Sequence, residues 1–592
     1  PTPRWQGAEL ILKSAPWGLS GLLRSIQEAT FVTNLSHTAL GQPKAWRWAS
    51  GDATQRSFDA DGRMVASEIA SYQFDAAGRI SAITQSLHAS QTQTVATTST
   101  GSGTDTGTAT AVTTTYFTTP ITSSPHDPRN RLTAFTRAGA SSAYTWDANG
   151  NRLTSIDTTR ADTDLDGAFD AEDFSTTTAQ SLAIAEGSNR LLAFTQTLTN
   201  VRGTRTLSSA SAQVAYTLDA AGNLTSDGLR SFNMDDDGRL AQVRIGLGSE
   251  EAATVYLHNA LGQRVFKSEP QATQYAPDEE ELGSDFINWL KKNFGWLFAK
   301  AQANATLGQS FVYADGPLPE WALLGEYGNG GSKSAGRLEI LWLPTEDGGA
   351  IPIGLYRNGR FHAVHPDHLG TPRLITDEAN LPVWQWPYSA FGANKPTGIL
   401  KATQKPKQAW TNEPTLLKAT NPALTFNLRY PGQYFDEESN LNYNYFRSYM
   451  PAQGRYSQPD PIGLEGGMNR FNYADGNSIV AADPTGLFQY HGNWCGPNWT
   501  GGYEKSWDKL TQSEKNTCKP PKDKLDSCCE VHDKEHAQCR EQYPCDENMQ
   551  KRCKETLIVD FIAARRSQGK EVFGFRIHEK VFAGRGIVMQ KI

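Results

Sequence analysis

Residues 525 to 536, LDSCCEVHDKEH, put two adjacent cysteines, two histidines and a run of carboxylates into one helix-length window. Leu-Asp-Ser is a helix-start signal, which predicts a helix through the residues that follow. Adjacent helical residues diverge by about 100°, so Cys528 and Cys529 must reach different partners. Cys529 and Asp533, four apart, share one face, and Cys528 and His532 share the next. A helix stapled in this way can turn a carboxylate to a cation and an imidazole to a water. That is the chemistry of a general base beside a metal. His532 and His536, one turn apart, also admit a helical zinc pair, although the cysteines lack a zinc spacing. Some thirty residues upstream, YHGNWCGPNWTGG (490 to 502) is a glycine-rich loop with one cysteine. Such a loop can offer successive backbone carbonyls to a hard cation.

Two further patterns carry chemistry. Asp460 in PDPIGL and Asp483 in ADPTGL are Asp-Pro elements, which proline-initiated turns alone would explain. Held close together, however, two carboxyls cannot both ionise, and one can act as acid while the other activates water. DTDLDGAFDAED, residues 162 to 173, spaces oxygen side chains as a calcium loop does. Its candidate ligands are Asp162, Asp164, Asp166, Asp170 and Asp173, with the Ala168 carbonyl; the last is Asp where such loops use Glu.

The chain that must position these groups has 592 residues and a formal charge of -7. No apolar window is long enough for a membrane helix, and PTPRWQGAEL has neither an initiator Met nor a signal-peptide layout. A soluble, processed or truncated piece is expected. All seven cysteines follow residue 494. Residues 488 to 592 hold 18 Lys+Arg against 15 Asp+Glu, a charge of +3, which leaves the body at -10. A cysteine-dense, mildly basic module after an acidic, cysteine-free body points to work in an oxidising space, at an anionic surface.

The body repeats one theme: SYQFDAAGRI, AYTWDANGNRL, AYTLDAAGNL, SFNMDDDGRL and TVYLHNALGQRV. Asp or Asn starts a turn, Gly supplies positive φ, and the alternating aromatic and aliphatic residues face one side of a hairpin. No single unit buries its apolar face alone, so serial units are expected to stack into a continuous sheet. The Ser/Thr/Gly-rich stretch 86 to 125 reads as a flexible or edge insertion. SDFINWLKKNFGWLFAK, 284 to 300, has helical apolar spacing and is expected to pack on the shell.

HPDHLGTPRLITDEANLPVWQWPYSAFG, NLRYPGQYFDEESNLNYNYFRSYMPAQGRYSQPDPIGLEGG and NRFNYADGNSIVAADPTGL resemble the core and terminal signature of RHS (rearrangement hot spot) proteins, whose YD repeats match the hairpins. The resemblance implies a mainly β fold, a YD-repeat spiral cocoon over residues 1 to 487 that encloses a C-terminal toxin. It also implies aspartyl self-cleavage within a signature at about 426 to 487. Asp460 and Asp483 would be the pair, Arg455 an orienting cation, and the cut would follow Leu487.

The tail resembles secreted phospholipase A2, in which a W-C-G loop precedes a C-C-x-x-H-D helix, over roughly residues 490 to 555. That implies a small, disulfide-rich α-helical domain at 488 to 592. Trp494, Gly496 and Asn498 would give carbonyls to Ca2+, with Asn498 standing where the family prefers Gly. Asp533 would be the side-chain ligand, His532 the general base, and Asp546, or alternatively Asp560, the residue that orients it. The implied disulfides are Cys495 with Cys529, Cys528 with Cys553 and Cys539 with Cys545, leaving Cys518 over and His536 without a role. The two resemblances together imply a secreted bacterial toxin, delivered to a target cell through a type VI secretion system. Its substrate would be membrane phospholipid, its partners a cognate immunity protein and the secretion machinery, with no nucleic-acid partner. The alternative is a non-enzymatic adhesion or membrane-binding protein with an inactive tail.

Overall fold

Each repeat closes on the same turn chemistry. Asp75 Oδ1 accepts the backbone N–H of Arg79 at 3.0 Å while Arg79 Nε donates to Oδ2 at 2.6 Å, and Gly78 between them takes φ 76°. Asp147 holds Asn151 in the same way, at 2.8 Å to both its backbone and its side-chain amide, with Gly150 at φ 85°. A carboxylate that accepts from the residue four places on stands in for a missing backbone acceptor, and glycine takes the left-handed conformation without steric cost. The register slips by one beside these turns, at Gln73/Phe74, Thr145/Trp146 and Asn233/Met234, so the large apolar residue before each Asp sits at a bulge.

The computed structural model describes residues 29–96, 108–122, 126–161, 173–245, 253–269, 308–403 and 416–487 apart from gaps of a few residues, together with 3–6, 9–12, 511–516 and 534. Its described residues are mainly β: a five-stranded sheet, two thirteen-stranded sheets and a four-stranded sheet. In the two large sheets, strands that neighbour in sequence mostly neighbour in space. One runs through eleven strands from Ser57–Phe58 to Arg205–Ala215 and is joined out of sequence by Leu400–Thr403, parallel to Ile80–Ala96, and its partner Leu416–Lys418; the other runs from Thr217–Leu218 to Pro382–Gln385. This is the meander that serial hairpins produce.

Stretch 86 to 125 departs from expectation. Ile80–Ala96 and Thr108–Thr122 are long antiparallel partners within the first large sheet, not an insertion at its edge. Threonine is β-branched and favours strands even where its polarity suggests a linker. The 162 to 173 loop links Arg152–Ala161 to Phe174–Ile184, whose ends pair Ala161 with Phe174, so strands flank it. Asp173 is buried; Asp162, Asp164, Asp166, Ala168 and Asp170 lie outside the described residues, as does 284 to 300.

The four-stranded sheet, Tyr434–Asp436, Leu441–Asn444, Arg447–Met450 and Arg455–Tyr456, carries the terminal signature into the core. Tyr434, Tyr443, Tyr449 and Tyr456 join Trp384, Trp386 and Phe311 in the largest buried cluster. A buried ion pair crosses this seam: Arg264 Nη1 donates to Asp436 Oδ2, and Lys267 Nζ lies 3.1 Å from Asp436 Oδ1. The Arg264 guanidinium is ringed by Tyr256, Phe311, Tyr434 and Tyr443, 4.5 to 5.3 Å from their centroids. Removing one partner of a buried pair strands the other charge. Arg264→Met is therefore expected to lower unfolding free energy by about 3 kcal/mol, read by urea titration, with Lys267 keeping the loss near the low end of the range.

A second ionic cluster, with His365 buried and Asp52 and Glu68 half-buried, ties the first strands to the second large sheet. His365 Nδ1 lies 3.1 Å from Glu68 and Nε2 3.4 Å from Asp52. Burial opposes charging His365, but hydrogen bonds and charge from Asp52 and Glu68 win and raise it to about 9. A histidine raised on folding stabilises fully below its unfolded value and loses that contribution as pH climbs through its folded value. The shell is therefore expected to lose about 2–3 kcal/mol between pH 6.5 and 9. Melting temperature against pH should fall over that window in the native chain and stay flatter in His365→Gln.

Candidate functional site

The third strand of the small sheet begins at Arg447, and both Asp-Pro elements fold back onto it. Asp460 sits in the turn after Arg455–Tyr456, where Ile462 N–H donates to its Oδ1 at 3.1 Å and its own N–H reaches Arg470 O at 2.8 Å. Asp483 is held from the backbone side by Asn444, whose Nδ2 donates to its carbonyl at 2.9 Å and to Tyr456 Oη at 2.6 Å. Both carboxyls are buried, each at 2% exposure, so neither can ionise cheaply without a partner.

Arg447 is that partner. Its Nη2 lies 2.9 Å from Asp460 Oδ2 and 3.2 Å from Asp483 Oδ2, and its guanidinium stacks 3.6 Å over the Tyr456 ring. Tyr456 Oη donates to Asp483 Oδ2 at 2.8 Å. The chain end beyond Asp483 is drawn into the same knot. Gly486 and Leu487 N–H groups donate to Asp483 Oδ1 at 2.8 and 3.1 Å, Arg447 Nε donates to Gly486 O, and Phe446 N–H donates to Thr485 O at 3.1 Å. The Leu487 N–H is thus held on one of two carboxyls bridged by one guanidinium, and its carbonyl oxygen and Asp460 Oδ2 both flank Gly466, at most about 5 Å apart. Burial raises Asp460 to about 6 against the pull of Arg447, and burial also raises Asp483 despite Arg447 and Tyr456. Such a pair tends to hold one proton. Arg447, Asp483 and Gly466 are among the residues that line a cleft of ≈ 260 Å³, through which water can reach Asp483.

The structure brings Asp460, Asp483 and Leu487 together and leaves Arg455 out. Arg455 donates to Asn189 O, reaches toward Asn151 Oδ1 at 3.5 Å and stacks 4.9 Å from the Phe471 ring, joining the repeats to the signature. The cation that bridges the two carboxyls is Arg447, eight residues upstream. Its signal in sequence was a lone charge in the aromatic strand YNYFRSYM, whose burial demands a partner.

Among the described residues, no group of three or more His, Cys, Asp or Glu could hold a metal ion. Of the tail, the five-residue helix Gln512–Asn516 is described. Trp494, Gly496, Asn498, His532, Asp533, His536, Asp546, Asp560 and all seven cysteines lie outside the described residues.

No family model matches the chain. It is 37% identical over 133 residues to double-stranded DNA deaminase toxin A of Burkholderia cenocepacia, covering 22% of this chain and 8% of that protein. Toxin protein Tse5 of Pseudomonas aeruginosa is 38% identical over 123 residues, 21% of this chain and 8% of that protein. A probable deoxyribonuclease, RhsA of Dickeya dadantii, is 40% identical over 92 residues, 16% of this chain and 6% of that protein. The chain therefore spans under a tenth of these relatives' length. Among solved structures, TcdB2-TccC3 without its hypervariable C-terminal region aligns over 81% of this chain and 20% of that one, at 13% identity and a TM-score of 0.42.

Proposed function

We propose that the chain is part of a secreted bacterial toxin effector whose β shell cuts itself after Leu487 and frees residues 488 to 592 as a calcium-dependent phospholipase A2-type hydrolase. The observation that carries the first half is the bridge of Arg447 across Asp460 and Asp483, with the Leu487 amide on one carboxyl and its carbonyl beside the other. In the proposed reaction the protonated Asp460 donates to the Leu487 carbonyl oxygen while ionised Asp483 takes a proton from water. The water oxygen adds to the carbonyl carbon. The C–N bond to Phe488 then breaks as its nitrogen takes the proton held by Asp483 and Asp460 regains one from the adduct hydroxyl, leaving a Leu487 carboxylic acid, which ionises, and a Phe488 amine.

The second half rests on the tail's own residues. The toxin names among the relatives support delivery to a target cell, with secretion machinery and an immunity protein as partners. Those names carry different activities, a deaminase and a deoxyribonuclease, so the activity of this chain is read from CCEVHD and WCGPN. His532 removes a proton from the water that attacks the sn-2 ester, and the proposed orienting carboxylate is Asp546 or Asp560. Ca2+ on Asp533 and the carbonyls of Trp494, Gly496 and Asn498 would supply charge stabilisation. The cysteine pairs would hold loop and helix in place, and the 162 to 173 loop is a second proposed calcium site.

The deoxyribonuclease and deaminase names favour one competing reading, a tail that acts on nucleic acid. Two substrates and a blank separate these readings: phosphatidylglycerol vesicles, double-stranded DNA and buffer alone, each with calcium, with EDTA and with a zinc-selective chelator. Fatty-acid release that needs calcium and resists the zinc chelator supports the lipase. Cut or deaminated DNA with intact lipid would replace it, and neither product would leave a binding module.

A further inference from the structure

Three glycines, Gly463, Gly466 and Gly467, stand within five residues of the loop after Asp460, and their surroundings differ. A β-carbon built on Gly463 or Gly467 would meet nothing within 4 Å. One on Gly466 would lie 2.2 Å from Asp460 Oδ2 and 2.8 Å from the Leu487 carbonyl oxygen. Those two oxygens flank one point, so they are at most about 5 Å apart. Gly463 and Gly467 have positive φ and Gly466 does not, so its backbone would accept alanine. What excludes a side chain at 466 is the space between the carboxyl and the carbonyl.

Of the two neighbours, the Leu487 backbone is the more firmly held, and the Asp460 side chain is the one that gives way. Leu487 is pinned by its own N–H and that of Gly486 to Asp483, and by Arg447 to Gly486 O. The carboxyl of Asp460 is held by Arg447 Nη2 at 2.9 Å and by the Ile462 N–H at 3.1 Å, at the end of a side chain that can rotate. We propose that Gly466 is a positioning residue for the cut: its bare Cα lets the Asp460 carboxyl close on the Leu487 carbonyl, and any side chain there drives the two apart. This rests on the self-cleavage reading.

The test uses the full 592-residue chain as wild type, Gly466→Ala and Leu464→Ala, the last changing a side chain that is 68% exposed on the same loop. Wild type and Leu464→Ala are expected to cut alike. Gly466→Ala should cut ~10²-fold more slowly, the penalty of a displacement of about 1 Å at a reacting centre. Its residual cutting should also follow pH differently. In the native site Asp460 faces Arg447 and Arg470 as cations and Asp483 as an anion, and burial dominates its value of about 6. Displaced from Gly466, Asp460 changes both its burial and its distance to Arg447, the two largest influences on it, so the pH limb of the cut should move away from about 6. A rate lowered equally at every pH, with the limb unmoved, would make Gly466 merely structural and overturn the proposal. So would a Gly466→Ala chain that no longer folds, or one that cuts as fast as wild type. An uncut wild type would instead sink the self-cleavage reading itself.

Discussion

Asp460→Asn and Asp483→Asn are each expected to leave the chain whole under conditions where the native chain is cut. The native pair shares a proton because two buried carboxyls face one guanidinium, which balances one negative charge and not two. Asparagine keeps the size of the side chain but can neither give nor take the proton, so each change should slow the cut by ~10²–10⁴-fold. The fold should survive, because an amide can still accept from Arg447 at 460, and from Gly486 and Leu487 at 483. The native reaction should also carry a pH signature. Burial raises Asp460 to about 6, so the proton the pair needs is lost as pH climbs past that value. Cutting should then slow roughly tenfold per unit on the alkaline side. Timed gel analysis from pH 5 to 8 reads both effects. A cut that proceeds at the native rate in Asp460→Asn would remove the dyad from the mechanism.

His532→Gln is the second large effect. Glutamine can hold a water but cannot accept its proton at neutral pH, so calcium-dependent fatty-acid release by the cut chain should fall ~10²–10⁴-fold. Binding of the tail to anionic vesicles should persist, since the +3 charge of residues 488 to 592 is untouched. That split matters for the binding-module alternative. If native and variant chains bind vesicles alike and neither releases fatty acid, the tail is a membrane-binding module. If binding and release are lost together, the substitution has unfolded the tail and His536→Gln serves as the control for folding.

The repeats were legible because one residue type at one spacing does a local job. Asp75 and Gly78 close their turn with no help from the rest of the chain, so reading the turn reads the hairpin. The same locality let Asp460 and Asp483 be picked out, since each Asp-Pro element marks its own turn. What joins them is not local. Arg447 reaches both carboxyls only after a four-stranded sheet has formed and the chain has doubled back twice, and strand alternation does not say which charged residue ends inside. Arg455, nearer in sequence, was the natural choice, but it points to Asn151 and Asn189 some three hundred residues away. Thr108–Thr122 misled in the opposite way, its composition suggesting a linker while its β-branched residues fit a sheet. Gly466 was visible as a letter, but its use depends on Leu487, which is brought beside it only when the chain folds back.

The most direct measurement is the intact mass and N-terminal sequence of the freshly purified 592-residue chain beside its Asp460→Asn variant. Two fragments from the native chain, residues 1 to 487 and a second beginning at Phe488, with a single uncut species from the variant, is the predicted result. A native chain that stays whole, or one cut at another bond, would contradict it.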